Sequence, residues 1–281
     1  MQETGRFAVS LLSEDLMRQG YFGDLVVPIS RSNLRTPYMG APTNECVGEG
    51  LNNGTFPGDL GTFRTLWGLS SVNATPISCI DDASIGSDVL QLKRTITSPF
   101  TGAQSTSRYY LYTNSVEGQI IVGGTLPAPV INDAQVYEYQ HHIYYVTEES
   151  RGAKKYPVLK MKSLATTVSE MPLIDGVERI RFLYGVDTDL DGIVNTYLSA
   201  TEMNATGSGT GRYWDNADTR IMAVKIYVLV RDLEEDTDYS NTNDYFLGND
   251  VAGKYSVNDN YRRMLFSSTI SLFNGDVKVW D

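Results

Sequence analysis

The densest chemistry in the sequence lies in the run Asp187-Thr188-Asp189-Leu190-Asp191-Gly192-Ile193-Val194-Asn195. Carboxylates at alternate positions can converge on one divalent cation, and a glycine in the sixth place allows the sharp turn such a loop needs. The Ile193 carbonyl and the Asn195 side chain could add two more oxygens, so Asp187, Asp189, Asp191, Ile193 and Asn195 form a candidate calcium set. The spacing is that of the first nine positions of an EF-hand loop, but the twelfth position is Leu198 where such loops carry a bidentate glutamate. A strand pattern, not a helix, leads into it, and Glu202, Asp215 and Asp218 are the acidic residues that could complete the shell. The competing reading is an Asp-rich turn screened by water. Three carboxylates so close together repel one another, which favours a cation.

Other groupings carry less. His141-His142 sits in a strand pattern, so the two rings point to opposite faces and cannot share one metal. They are the only histidines, and no GxSxG-type setting accompanies them, so a Ser-His-Asp triad is not expected. Gly207-Ser208-Gly209-Thr210-Gly211 lacks the lysine of a phosphate loop and reads as a surface loop. Glycoside hydrolysis would need two positioned carboxylates, and nothing places such a pair. Trp67, Trp214 and Trp280 are scattered as core or interface anchors, and the sequons at Asn53, Asn73 and Asn204 read as chance matches. No catalytic or cofactor-binding residue is assigned, and an enzyme is not expected.

The chain of 281 residues has 41% hydrophobic and 11% aromatic residues, enough for a packed core. Its net charge of −11 argues against nucleic acid or anionic lipid as a partner, because both require a concentrated basic surface. Cys46 and Cys79 have no metal-ligand or CxxC spacing. A single disulfide in an oxidising compartment is the expectation, stabilising by roughly 3–4 kcal/mol; two free thiols in a reducing one is the alternative. No run of 18 apolar residues appears. The opening Met-Gln-Glu-Thr-Gly-Arg has neither the basic nor the apolar part of a leader, and it reads as a start placed before an internal segment, with a targeting or membrane segment removed.

The elements that must position these residues begin with an amphipathic helix from Gln2 to about Gly20, with Phe7, Leu11, Leu12 and Leu16 as its apolar stripe. Residues 25–85 read as an irregular, disulfide-tied region with short strands or turns. From 88 to 281 the pattern is β. Strands are predicted at 89–96, 108–113, 118–122, 136–147, 177–186, 221–230 and 264–273, with a hairpin loop at 150–154 between arms at 144–148 and 157–161, and a meander if neighbours pair. The expectation is one α+β domain over 1–281, with a helical start at 1–22 packed on antiparallel sheet.

Several blocks resemble a known family. Gln2-Glu3-Thr4-Gly5-Arg6-Phe7-Ala8 through Leu16-Met17-Arg18-Gln19-Gly20-Tyr21-Phe22-Gly23 is similar to the end of the N-terminal helix in PilW-type minor pilins of type IV pili. Gly86-Ser87-Asp88-Val89-Leu90, Leu173-Ile174-Asp175-Gly176-Val177-Glu178-Arg179-Ile180 and Tyr184-Gly185-Val186-Asp187 look like the same family. So do Ala223-Val224-Lys225-Ile226-Tyr227-Val228-Leu229-Val230-Arg231 and Asn260-Tyr261-Arg262-Arg263-Met264-Leu265-Phe266-Ser267-Ser268-Thr269. The resemblance implies a pilin-like fold and a hydrophobic helical half, absent here, that anchors the subunit in the bacterial inner membrane facing the periplasm before assembly. It implies a structural role in a minor-pilin complex that primes the pilus and stays at its tip. The partners implied are other minor pilins, a tip adhesin and the major pilin. A calcium-dependent carbohydrate-binding module or adhesin is the runner-up reading, and a hydrolase is third.

Overall fold

Stretches rich in Val, Ile, Tyr and Phe recur along most of the sequence, and side chains of that shape pack best on a pleated surface. The structure, a computed structural model, describes residues 1–26, 33–35, 42–48, 53–57, 63–207, 211–216, 218–248 and 253–272. Helix α1 (Gln2–Met17) opens the chain. It is followed by β1 (Leu34–Arg35), β2 (Leu66–Ser70), β3 (Asp88–Thr95), β4 (Tyr109–Thr113), β5 (Gly118–Val122), β6 (Gln135–Arg151), β7 (Lys154–Ser163), β8 (Ser169–Asp175) and β9 (Val177–Asp187). After these come β10 (Thr196–Ser199), the short α2 (Ala200–Asn204), β11 (Thr206–Gly207), β12 (Gly211–Arg212), β13 (Arg220–Arg231), β14 (Asp244–Phe246), β15 (Lys254–Ser256) and β16 (Arg263–Ser271).

The α+β, pilin-like expectation is corrected by this architecture. Among the described residues strand accounts for 44% and helix for 11%, so they are mostly β, with a curled multi-stranded sheet and one long helix. An eight-stranded sheet runs β1-β5-β4-β6-β3-β2, with β7 pairing β6 and β8 pairing β7; a four-stranded sheet runs β10-β9-β13-β16. The misreading has a physical source. A 3.6-residue stripe is the loudest local signal in a sequence, whereas the share of chain committed to strands depends on pairing partners far away. The segment expected at 157–161 beyond the hairpin loop falls within β7, whereas β8 and β10 are strands that the sequence pattern does not mark. Nor is the larger sheet a meander: β3 pairs with β2 and β6, and β4 lies on the other side of β6.

Most predicted strand positions fall within two residues of those observed, and the 150–154 loop is the β6–β7 hairpin, closed by Arg151 opposite Lys154 with Gly152 at φ +68°. The last residue predicted for the final strand, Phe273, lies outside the described residues, as do Trp280 and part of the Gly207–Gly211 loop.

The main core is shared by both sheets. Val224, Ile226, Val228 and Val230 of β13 and Ile180, Phe182 and Tyr184 of β9 pack with Leu90, Tyr144, Val146 and Leu159 of the larger sheet. Ala8, Leu12 and Leu16 of α1 join them. The buried stripe of α1 is therefore rotated from the predicted one, and Phe7 is 58% exposed. At one end of α1, Gly5 abuts the Phe266 ring of β16 so closely that a Cβ would overlap it. Gly5→Ala is expected to cost about 1–3 kcal/mol by overpacking. That outweighs the gain of about 1 kcal/mol from alanine's helix propensity. A thermal melt equal to the unmodified protein's would refute the close approach.

Candidate functional site

The Asp187–Asn195 run connects β9 to β10. The hairpin is closed by Val186 opposite Thr196 and by the Asn195 amide donating to the Val186 carbonyl at 2.9 Å. Alternation along β9 places its last residue, Asp187, on the face opposite Ile180, Phe182 and Tyr184, where it is nonetheless buried and its side chain organises the loop. Asp187 Oδ1 accepts from the amides of Asp189 (3.2 Å) and Leu190 (2.7 Å), and Oδ2 accepts from that of Gly192 (2.9 Å). Leu190 and Gly192 have φ of +61° and +86°, the left-handed region that lets successive amides converge on one carboxylate. Burial pushes the Asp187 carboxyl up, but the Gly192, Asp189 and Leu190 amides outweigh it and hold the group below its ordinary value.

Asp189 and Asp191 are exposed, and the carboxylate oxygens of Asp187, Asp189 and Asp191 lie within 4.8 Å of one another. That separation is compatible with one cation bound at the roughly 2.3–2.6 Å typical of calcium–oxygen bonds. Asn195 Oδ1 is turned into the loop, accepting from Thr188 N at 2.6 Å and Thr188 Oγ1 at 3.1 Å, while Asp191 Oδ1 accepts from Ile193 N at 2.8 Å. The Ile193 side chain is exposed. Leu198 is drawn into β10 and packs on the core, so the twelfth position closes a hairpin instead of supplying a ligand.

Two of the three outside donors are engaged elsewhere. Glu202 completes a capping box with Ser199 at the start of α2, and Asp215 makes a two-pronged bond to Arg64 at 2.5 and 2.8 Å. Among the described residues the acidic cluster contains neither of these, nor Asp218.

His141 and His142 do face opposite sides of β6. His141 Nδ1 is 3.2 Å from Thr55 Oγ1, and His142 Nδ1 is 2.7 Å from Asp15 Oδ2. Cys46 and Cys79 form a disulfide, with Cα atoms 4.8 Å apart. Trp67 is fully buried, and Trp214 packs edge-on against Tyr184 while donating to Asn204 at 2.8 Å, so neither is a sugar platform.

The sequence reading missed a buried polar node centred on Asp15. Asp15, 5% exposed on α1, bonds Arg94 Nε of β3 at 2.5 Å through one oxygen. Its other oxygen is bonded by His142 at 2.7 Å and by the Tyr144 hydroxyl of β6 at 2.6 Å. The available signal was a carboxylate on the apolar side of an amphipathic helix, one turn from Leu12. A second node, Lys160, bridges Asp82 (3.2 Å), Glu149 (3.2 Å) and Glu170 (2.8 Å) on the larger sheet.

Among the described residues no helix is long and apolar enough to cross a membrane. Residues 143–274 match the family model described as Type IV Pilus-assembly protein W. That span runs from within β6 to just beyond β16, so it takes in the whole four-stranded sheet and the acidic loop. No curated protein and no solved structure matches the chain.

Proposed function

We propose, from the premise that this chain is a PilW-type pilus-assembly protein, that it works as a structural subunit of a minor-pilin complex that primes type IV pilus assembly and stays at the tip. The family match over 143–274 carries the reading, since involvement in pilus assembly follows from it. Helix α1 supports it: the side opposite Ala8, Leu12 and Leu16 carries Phe7 and Met17 to the surface, apolar side chains that a neighbouring subunit can cover. In this reading the partners are other minor pilins, a tip adhesin and the major pilin, and the setting is the periplasm and then the fibre. The work done is templated association, with no catalytic turnover. Co-purification with the periplasmic domains of the minor pilins from the same organism tests the reading. A stoichiometric complex on size exclusion is expected, and a monomer in every combination would overturn it.

We also propose that the Asp187–Asn195 loop takes calcium, as the runner-up reading of a calcium-dependent carbohydrate-binding module or adhesin would require. The converging carboxylates of Asp187, Asp189 and Asp191 support this. A ligand at a hundredfold excess over its Kd stabilises the native state by about 2.7 kcal/mol. Calcium is therefore expected to raise the melting temperature, and Asp189→Ala to remove that increment while melting with chelator as the unmodified protein does. Identical melts of the unmodified protein with calcium and with chelator would refute the site. Binding to glycan arrays only with calcium would move the function to the runner-up.

A further inference from the structure

One face of the larger sheet carries polar side chains that are buried without being satisfied. Register sets them side by side: Trp67 of β2 lies opposite Gln91 of β3, and Lys93 of β3 lies opposite His141 of β6. The segments 42–48 and 53–57 form the cover over this face. Gln91 Nε2 donates to the Cys46 carbonyl at 3.0 Å, and Thr55 Oγ1 is 3.2 Å from His141 Nδ1. Tyr139 donates its hydroxyl to the Thr55 carbonyl at 2.6 Å. Asn53, two residues from Thr55, is brought to Trp67 as well, because a Cβ on Gly48 would strike both the Asn53 amide nitrogen and the far edge of the Trp67 indole.

Within this layer Asn53 Nδ2 and Oδ1, Trp67 Nε1, Gln91 Oε1 and His141 Nε2 have no hydrogen-bond partner among the described residues. Asn53, Trp67, Gln91 and His141 are each no more than 1% exposed. Leaving such atoms dry costs about 1–3 kcal/mol each, more than a marginally stable domain tolerates in one place. The unmet groups are mixed. The indole and the Asn53 nitrogen donate, the two amide oxygens accept, and a neutral imidazole nitrogen does either. Burial first, then the charges of Lys93 and His142, push the His141 ring well below its ordinary value, which keeps it neutral. Lys93 has its own partners, donating to the Arg64 carbonyl at 2.9 Å with its ammonium 4.8 Å from the centre of the Phe63 ring.

We infer that Asn53, Trp67, Gln91 and His141 enclose a buried hydration site, in which internal water bridges the sheet to the disulfide-tied cover. Water is the smallest ligand that both donates and accepts, and buried water typically makes about three such bonds. An anion would satisfy the donors and leave the amide oxygens of Asn53 and Gln91 worse off. Held water would also explain how a cover of loop, with few strand bonds of its own, can lie on so polar a face.

The test is magnetic relaxation dispersion of water oxygen-17 on the intact chain, together with water cross-peaks from the three tryptophan indoles. Long-lived water is expected, with a cross-peak from the Trp67 Nε1 proton bearing the sign of a rigidly held molecule. Asn53→Leu, nearly isosteric, should lose part of the dispersion and melt several degrees lower. Absence of both signals in the unmodified protein would overturn the inference, whether or not the variant folds. So would an Asn53→Leu protein that melts higher, since a dry amide gains from being replaced by an apolar group. Melts in chloride and in gluconate at equal ionic strength should coincide. A chloride-dependent rise would overturn the assignment in favour of an anion beside Lys93.

Discussion

Asp15→Ala is expected to destabilise the protein by about 3–5 kcal/mol, the loss that follows when one partner of a buried ion pair is removed and the other is left uncompensated. Arg94 is only 7% exposed and Asp15 5%, so water cannot easily take the carboxylate's place. The same side chain is what ties α1 to strands β3 and β6, through Arg94, His142 and Tyr144. The variant should therefore free the C-terminal end of the helix in particular, which hydrogen exchange of the 12–19 amides would read as early opening. Asp15→Asn keeps the shape and removes the charge, so it should fall between the two. Urea unfolding that leaves Asp15→Ala within about 0.5 kcal/mol of the unmodified protein, the range of ordinary surface substitutions, would refute the node.

A pH dependence follows with a definite sign. Burial pushes the Asp15 carboxyl up, but the His142 hydrogen bond and charge, the Arg94 guanidinium and the Tyr144 hydroxyl outweigh it, holding the carboxyl well below the usual carboxylate range. A depressed carboxylate contributes stability that is fully present above its unfolded value of about 3.9 and is lost as pH falls below it. The difference in stability between the unmodified protein and Asp15→Asn should thus hold from pH 7 to about 5 and shrink below about pH 4. A gap that stays constant down to pH 2 would refute the assignment.

The second large effect is expected from the disulfide. Cys46→Ser combined with Cys79→Ser should lower stability by roughly 3–4 kcal/mol, because the bridge closes a loop of sequence separation 33 whose freedom the unfolded chain otherwise regains. Reductant should reproduce the loss in the unmodified protein and add nothing to the double variant. The first structural consequence should appear at the cover over Trp67, since Cys46 both forms the bridge and accepts the Gln91 bond. A red shift of tryptophan emission before global unfolding reads that opening. A double variant that melts with the unmodified protein would show that the cover is held by its other contacts.

Legibility differed from element to element, for reasons that lie in how far apart the interacting residues are. β9 and β13 could be read nearly to their ends, since a run such as Ala223-Val224-Lys225-Ile226-Tyr227-Val228 states its own conformation through β-branched and aromatic side chains. The helix was legible in length but not in orientation. Phe7 and Leu11 share a stripe with Leu12 and Leu16 by hydropathy alone, and only the position of Phe266 and of the His142–Tyr144 pair turns Ala8, Leu12 and Asp15 inward. The acidic loop was legible as a motif because its ligand types are contiguous. Its closure was not, because the pairing of Leu198 with Tyr184 across β10 and β9 is what removes the twelfth position from the loop.

Neighbouring residues and residue counts are enough to specify the main strands, one amphipathic helix and the likeness to the pilus-assembly family, and they make a bridge between the two cysteines an expectation that the structure then bears out. Tertiary structure decided that the chain is mostly β, that two sheets share the core, that Asp15 is a buried clasp, and that Asn53, Trp67, Gln91 and His141 meet under one cover. Those outcomes depend on which strands pair and which faces close. Such contacts join residues as far apart as Asp15 and Tyr144, a separation of 129, and no local pattern encodes them.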